Sequence, residues 1–148
     1  MDDTSLTITI DGRPCSAVHG ELLLTALRRH GVEVPTLCHD DRLAPYGGCR
    51  LCVVSRRDGR GGLVPSCSTP VERGMVIETS NPEIVESRRR QLQLLVLNHR
   101  MECPVCERAG NCQFQDLLYR HGTPEDLLPF DRARTPIDRR SPVIVRDA

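Results

Sequence analysis

Lysine is missing altogether, and so is tryptophan; the 148 residues hold two Phe and two Tyr. Aromatic side chains usually dominate burial, so the core must be small and aliphatic, and something other than packing has to hold the loops. All 20 basic residues are Arg and they are matched by 20 acidic ones. We read the missing Lys as a codon-composition bias of the source. The balanced charge leaves no basic excess to drive phosphate binding, which argues against nucleic acid as a partner. Apolar runs are far too short to span a bilayer. The acidic, alternating start MDDTSLTITID has neither a basic leader nor an apolar signal core. The expected location is therefore the cytoplasm, including the cytoplasmic face of a membrane complex. No G-x-G-x-x-G fingerprint occurs, which weighs against a dinucleotide-binding catalyst in its own right.

Cysteine is what the chain has in excess: eight residues, without a secretion signal. In a reducing compartment such a count points to metal or cluster ligation; a small disulfide scaffold is the bland alternative. Four of them form one set, Cys38, Cys49, Cys52 and Cys67, separated by ten, two and fourteen residues. A second set reads His99-x3-Cys103-x2-Cys106-x5-Cys112. The other cysteine, Cys15, falls on an expected strand and reads as structural.

The first set has a single CxxC pair with a remote cysteine on either side. A zinc ribbon uses two similar CxxC knuckles, whereas the asymmetric pattern fits a 2Fe–2S cluster, with a first gap longer than the plant-type C-x4-C-x2-C. Gly47 and Gly48 allow the backbone to approach and aim N–H groups at sulfur. Structural zinc remains the alternative. The second set offers one imidazole and three thiolates, suited either to zinc or, beside a ferredoxin-like domain, to a 4Fe–4S cluster. The neutral imidazole would make that cluster less negative and raise its potential. Pro104 stiffens the CPVC turn and Gly110 allows close passage. His39 reads as a neighbour of the first set or a surface residue, and His19, His30 and His121 as ordinary.

Periodicity places these sets. Residues 5–11 alternate as a half-buried strand, Asp11-Gly12 is a hairpin turn, and residues 13–18 return. A helix follows over 21–30, with Leu23, Ala26, Leu27 and His30 on one face and Gly31 as its C-terminal cap. Hairpin, helix, then cysteine loop is the opening of a β-grasp ferredoxin. Short strands are expected over 51–56, 63–66 and 75–79. A helix begins at Asn81-Pro82, or at a Ser80/Glu83 capping box, and runs to about Asn98. Ile84, Arg88, Leu92, Leu95 and Val96 share a face of it; LQLLVL is apolar nearly all round and expected to be buried. The run Arg88-Arg89-Arg90 reads as a solvated turn. A short helix over 113–120 closes at Gly122. The expected architecture is α+β: a 2Fe–2S ferredoxin-like domain over 1–79, a small helical 4Fe–4S domain over 80–122, and an extended tail over 123–148.

The segments PTLCHDDRLAPYGGCRLCVV, LVPSCSTPVERGMVIET and HRMECPVCERAGNCQFQDL resemble the N-terminal region of the large iron–sulfur subunit of respiratory complex I, the 75-kDa family. The same region is shared with NAD-linked formate dehydrogenases and NAD(P)-linked hydrogenases. The resemblance implies that Cys38, Cys49, Cys52 and Cys67 bind one 2Fe–2S cluster, and that His99, Cys103, Cys106 and Cys112 bind one 4Fe–4S cluster. It implies a relay of single electrons between a flavin/NAD(H) module and a catalytic or quinone-linked module of a larger oxidoreductase. The partners it implies are flavin/NAD-binding and iron–sulfur or pterin subunits, and no residue need act as acid, base or nucleophile. In those families a segment like SPVIVRDA leads into a further cysteine-rich motif. This chain stops at Ala148, so the expectation is an excised module or short subunit without the catalytic centre. A zinc-stabilised interaction module without redox role is the competing reading.

Overall fold

A computed structural model describes residues 5–99, 101–122 and 139–144. It divides into two compact units, Met1–Arg88 and Arg89–Ala148.

The first unit is built on a five-stranded mixed sheet. Strands β1 (Ser5–Ile10) and β2 (Arg13–Val18) form the expected hairpin, in register from Ser5 opposite Val18 to Ile10 opposite Arg13. Asp11 and Gly12 both have positive φ, 47° and 79°, as a two-residue turn matching strand twist requires. Period-two alternation in β1 turns Leu6, Ile8 and Ile10 inward. Strands β3 (Val53–Arg56), β4 (Gly62–Pro65) and β5 (Val76–Glu78) complete the order β2-β1-β5-β3-β4. Among the described residues β1 pairs with β5 in parallel and the other three pairings are antiparallel. Among the described residues its core carries no aromatic ring: Leu, Ile, Val, Ala and Met pack with Cys52 and Cys67.

Helix α1 (Leu23–Arg29) buries Leu23, Leu24, Ala26 and Leu27. It starts two residues later than its pattern suggests, for a tertiary reason. Its first N–H groups are taken by backbone carbonyls of a distant segment: Leu23 N donates to Thr69 O at 2.8 Å and Leu24 N to Ser66 O at 2.9 Å. Those bonds satisfy donors that a helix start otherwise leaves open. They also tie α1 to the residues on both sides of Cys67. Gly31, at φ 75°, ends the helix as expected.

Helix α2 (Pro82–Leu97) begins at Asn81, whose Oδ1 accepts from Ile84 N at 2.9 Å. Of the two starts open from sequence, the Asn81-Pro82 one is used. Two expectations for α2 are corrected. Its second half is not buried all round: Leu92 and Val96 are buried, but Leu94 is 48% exposed, because successive residues turn 100° away from the i, i+4 stripe. Nor is Arg88 part of a solvated turn; it is only 7% exposed and sits on the stripe with Ile84 and Leu92.

In the second unit a single 3-10 turn (Cys103–Val105) precedes α3 (Gln113–His121). Most of the expected tail, 123–138 and 145–148, lies outside the described residues. Among the described residues no helix is long and apolar enough to cross a membrane.

Candidate iron–sulfur sites

Loop 38–52 and the turn that follows β4 bring the first four cysteines into electrostatic reach of one another. Cys49, Cys52 and Cys67 are buried and Cys38 is half-buried. Cys52 leads into β3 and Cys67 follows β4, and Ser66 ties these two strand ends together. Its N donates to Cys52 O at 3.1 Å and its Oγ to the same oxygen at 2.8 Å. Arg88 braces the other side. Its Nε donates to Leu51 O at 3.1 Å and its Nη2 to Val53 O at 2.9 Å and Thr79 O at 3.4 Å.

The glycines ahead of Cys49 have distinct roles. Gly47 has φ 66°, a conformation L residues rarely adopt, and a Cβ there would meet Ser68 Oγ at 3.0 Å. A Cβ on Gly48 would meet the Tyr46 ring at 2.2 Å, so that ring lies directly against the loop backbone. Cys49 N donates to Cys38 Sγ at 3.4 Å.

The thiols differ in how readily they ionise. Burial pushes Cys67 up to about 12, with Cys52 adding to the rise through a hydrogen bond and its charge. Burial also raises Cys49. Cys38 feels burial too, but backbone N–H groups from Cys49 and Gly48 outweigh it and hold its thiol below the ordinary value. Four soft thiols packed this way repel one another when ionised. A bound cationic metal group relieves that repulsion, so the donor set suits an iron–sulfur group, as it would also suit zinc.

In the second unit His99, Cys103, Cys106 and Cys112 line one cavity of about 150 Å³. A cavity of that size elsewhere holds a benzene-sized group, well beyond what one ion fills. Local structure explains how they come to line it. His99 sits just past α2, its N donating to Val96 O at 3.1 Å. Pro104 starts the tight turn in which Cys106 N reaches Cys103 O at 3.3 Å. Gly110, at φ 74°, reverses the chain, and Cys112 opens α3 by accepting from Asp116 N at 3.1 Å. Arg108 N approaches Cys106 Sγ at 3.5 Å.

Sequence reasoning passed over the apolar wall of this cavity, Phe114 and Leu118. The Phe114 ring meets the His99 imidazole edge-on, with centroids 5.0 Å apart at 77°, which restrains the imidazole. The signal was present, since Phe114 and Leu118 are an i, i+4 apolar pair on α3. Cys15 packs, partly buried, against the first unit's core, as a structural cysteine does. His39 bonds Asp41 at 2.8 Å and His30 approaches Ser16 O at 2.8 Å. Among the described residues, no three His, Cys, Asp or Glu side chains converge as the ligands of one metal ion would.

Residues 3–82 match the family described as a 2Fe-2S iron-sulfur cluster binding domain. Residues 88–126 match the NADH-ubiquinone oxidoreductase-G iron-sulfur binding region. The NADP-reducing hydrogenase subunit HndD of Solidesulfovibrio fructosivorans is 38% identical over 96% of this chain and 25% of its own length. The mitochondrial NADH-ubiquinone oxidoreductase 78 kDa subunit of Candida albicans is 36% identical over 78% of this chain and 16% of its own. The crystal structure of an NAD+-reducing NiFe-hydrogenase in the H2-reduced state superposes with a TM-score of 0.78 at 32% identity, covering 93% of this chain and 57% of that one. This chain thus spans a quarter or less of these two curated relatives. The five-stranded mixed sheet with its few helices is compatible with a ferredoxin-like domain followed by a 4Fe–4S region.

Proposed function

The chain belongs to the family of 2Fe-2S iron-sulfur cluster binding domains, continued by the oxidoreductase-G iron-sulfur binding region, and from that membership we propose that it is a two-cluster electron relay within a larger NAD(P)-linked oxidoreductase. Cys38, Cys49, Cys52 and Cys67 hold a 2Fe–2S cluster, and His99, Cys103, Cys106 and Cys112 a 4Fe–4S cluster. What carries the reading is that a histidine and three cysteines, spread over fourteen residues, line one cavity in a chain whose other four-thiol set falls within the matched 2Fe–2S family.

The clusters, when bound, supply one-electron redox chemistry. The protein's own residues do the rest. Buried Cys52 and Cys67 keep water from one side of the first site. N–H groups of Cys49 and Arg108 approach ligand sulfurs, where such contacts stabilise negative charge. Phe114 and Leu118 give the second site a dry wall. The partners in this reading are subunits carrying the flavin/NAD(H) and the catalytic or quinone-linked centres; the relatives are named as subunits of an NADP-reducing hydrogenase and of an NADH-ubiquinone oxidoreductase.

The test is anaerobic purification, with iron, acid-labile sulfide and zinc measured, then EPR after dithionite. The expected result is about six irons and two signals, the faster-relaxing one visible only when cold. About two irons would remove the second cluster from the reading. Stoichiometric zinc without iron would overturn it in favour of the zinc-stabilised module, which both matched iron–sulfur families disfavour.

A further inference from the structure

Arg88 is a buried cation whose partners, among the described residues, are three carbonyl oxygens and no carboxylate. Two of those carbonyls belong to Leu51 and Val53, the residues immediately before and after Cys52. The guanidinium therefore straddles the backbone that presents that thiol.

A buried charge without an opposite charge is costly; carbonyl dipoles meet only part of that cost. The two carbonyls that flank Cys52 set the guanidinium beside that candidate ligand, where an anionic cluster would supply the missing opposite charge. A thiolate-ligated 2Fe–2S group is net negative, and more so once reduced. A cation held beside it favours the reduced form. Nothing in this placement depends on solvent-exposed geometry: Arg88 is on the buried stripe of α2 and cannot swing into water without breaking all three bonds. The rigid fork of guanidinium donors suits bonding to two carbonyls at once, which a lysine ammonium would do less well.

We propose that Arg88 is a positioning and potential-setting residue: it clamps the backbone on both sides of Cys52 and, as a fixed positive charge, raises the reduction potential of the cluster held by the first four cysteines. The inference rests on the electron-relay reading.

The experiment is an EPR-monitored redox titration of the full chain, purified anaerobically, for the parent, Arg88→Gln and Arg88→Lys, with iron and sulfide measured on each. For Arg88→Gln we expect the reduced-to-oxidised ratio of the 2Fe–2S signal at a fixed poise to fall about tenfold, a midpoint ~59 mV lower for a one-electron couple. For Arg88→Lys, which keeps charge but loses the fork, we expect that ratio within about threefold of the parent, with lower thermal stability. The second signal should not move in either. A Gln variant with full iron and an unchanged midpoint, or Gln and Lys shifting alike, would overturn the proposal. Should Arg88→Gln fail to fold or lose iron from the first site, Arg88→Lys decides. Iron retained at the parent midpoint supports the charge; loss alike shows that shape alone matters and overturns it. A parent chain without iron would instead sink the relay reading itself.

Discussion

Arg56 is nearly enclosed between two carboxylates: its Nε donates to Asp58 at 2.8 and 2.9 Å and its Nη2 to Glu72 at 2.7 Å, with Arg60 adding a second bond to Glu72 at 2.8 Å. The Arg56 hydrogen bonds hold both carboxyls below the ordinary carboxylate range. A carboxyl whose folded pKa is depressed contributes stability above its unfolded value and loses it as pH falls through the folded one. Arg56→Gln should therefore lower the melting temperature most near neutrality. The gap to the parent should narrow as pH falls below about 4, where the carboxylates protonate. Thermal unfolding of both proteins across that range checks it; a gap constant down to the acid limit would mean that the carboxylates contribute nothing. The cluster is partly exposed at Glu72, so solvent screening keeps its effect modest. Arg88 makes a different point at this scale. Reading the helix face put it with Ile84 and Leu92, and reading the charge run put it in solvent. The face was right for Arg88, because a residue's angular position on a helix decides its surroundings and a neighbour's charge does not.

Elements differ in how much of their boundary is local. The β1–β2 hairpin follows from alternation and from a turn whose two residues tolerate positive φ, all within fourteen residues. The start of α2 is local too, since Asn81 Oδ1 reaches Ile84 N. Asn81→Ala should destabilise the chain by about 1 kcal/mol, while Ser80→Ala should stay within about 0.5 kcal/mol. Chemical denaturation of the two variants side by side separates these outcomes. Equal losses would return the capping-box reading. The start of α1 is not local. Thr69 and Ser66, more than forty residues downstream, supply the acceptors for its first turn, and no periodicity in residues 20–30 announces them.

The whole molecule keeps its two ligand sets in separate compact units: the first four cysteines fall within Met1–Arg88, and His99 to Cys112 within Arg89–Ala148. If each unit holds its own cluster, loss of one ligand should be felt by one cluster alone. Cys67→Ser should remove about two irons and leave the fast-relaxing EPR signal. Cys112→Ser should remove about four and leave the slower one. Iron analysis with EPR on both variants reads the result; joint loss of both signals from either substitution would show that the units do not assemble independently.

Residue order alone was enough to name the ligand residues to consider, the hairpin, the order of strands and helices, and the aliphatic character of the core. Each of these depends on spacing, turn chemistry or a short period, and so is written within a window of a few residues. The resemblance to the complex I 75-kDa family was legible for the same reason, since its motifs are short spacings. It took the folded chain to fix where α1 begins, that Phe114 faces His99, and that Arg88 is buried against the backbone around Cys52. The bonds to Leu51 and Val53 join residues 37 and 35 positions apart in the chain. Contacts at that separation come from chain closure and sheet pairing, which no local pattern of side chains encodes.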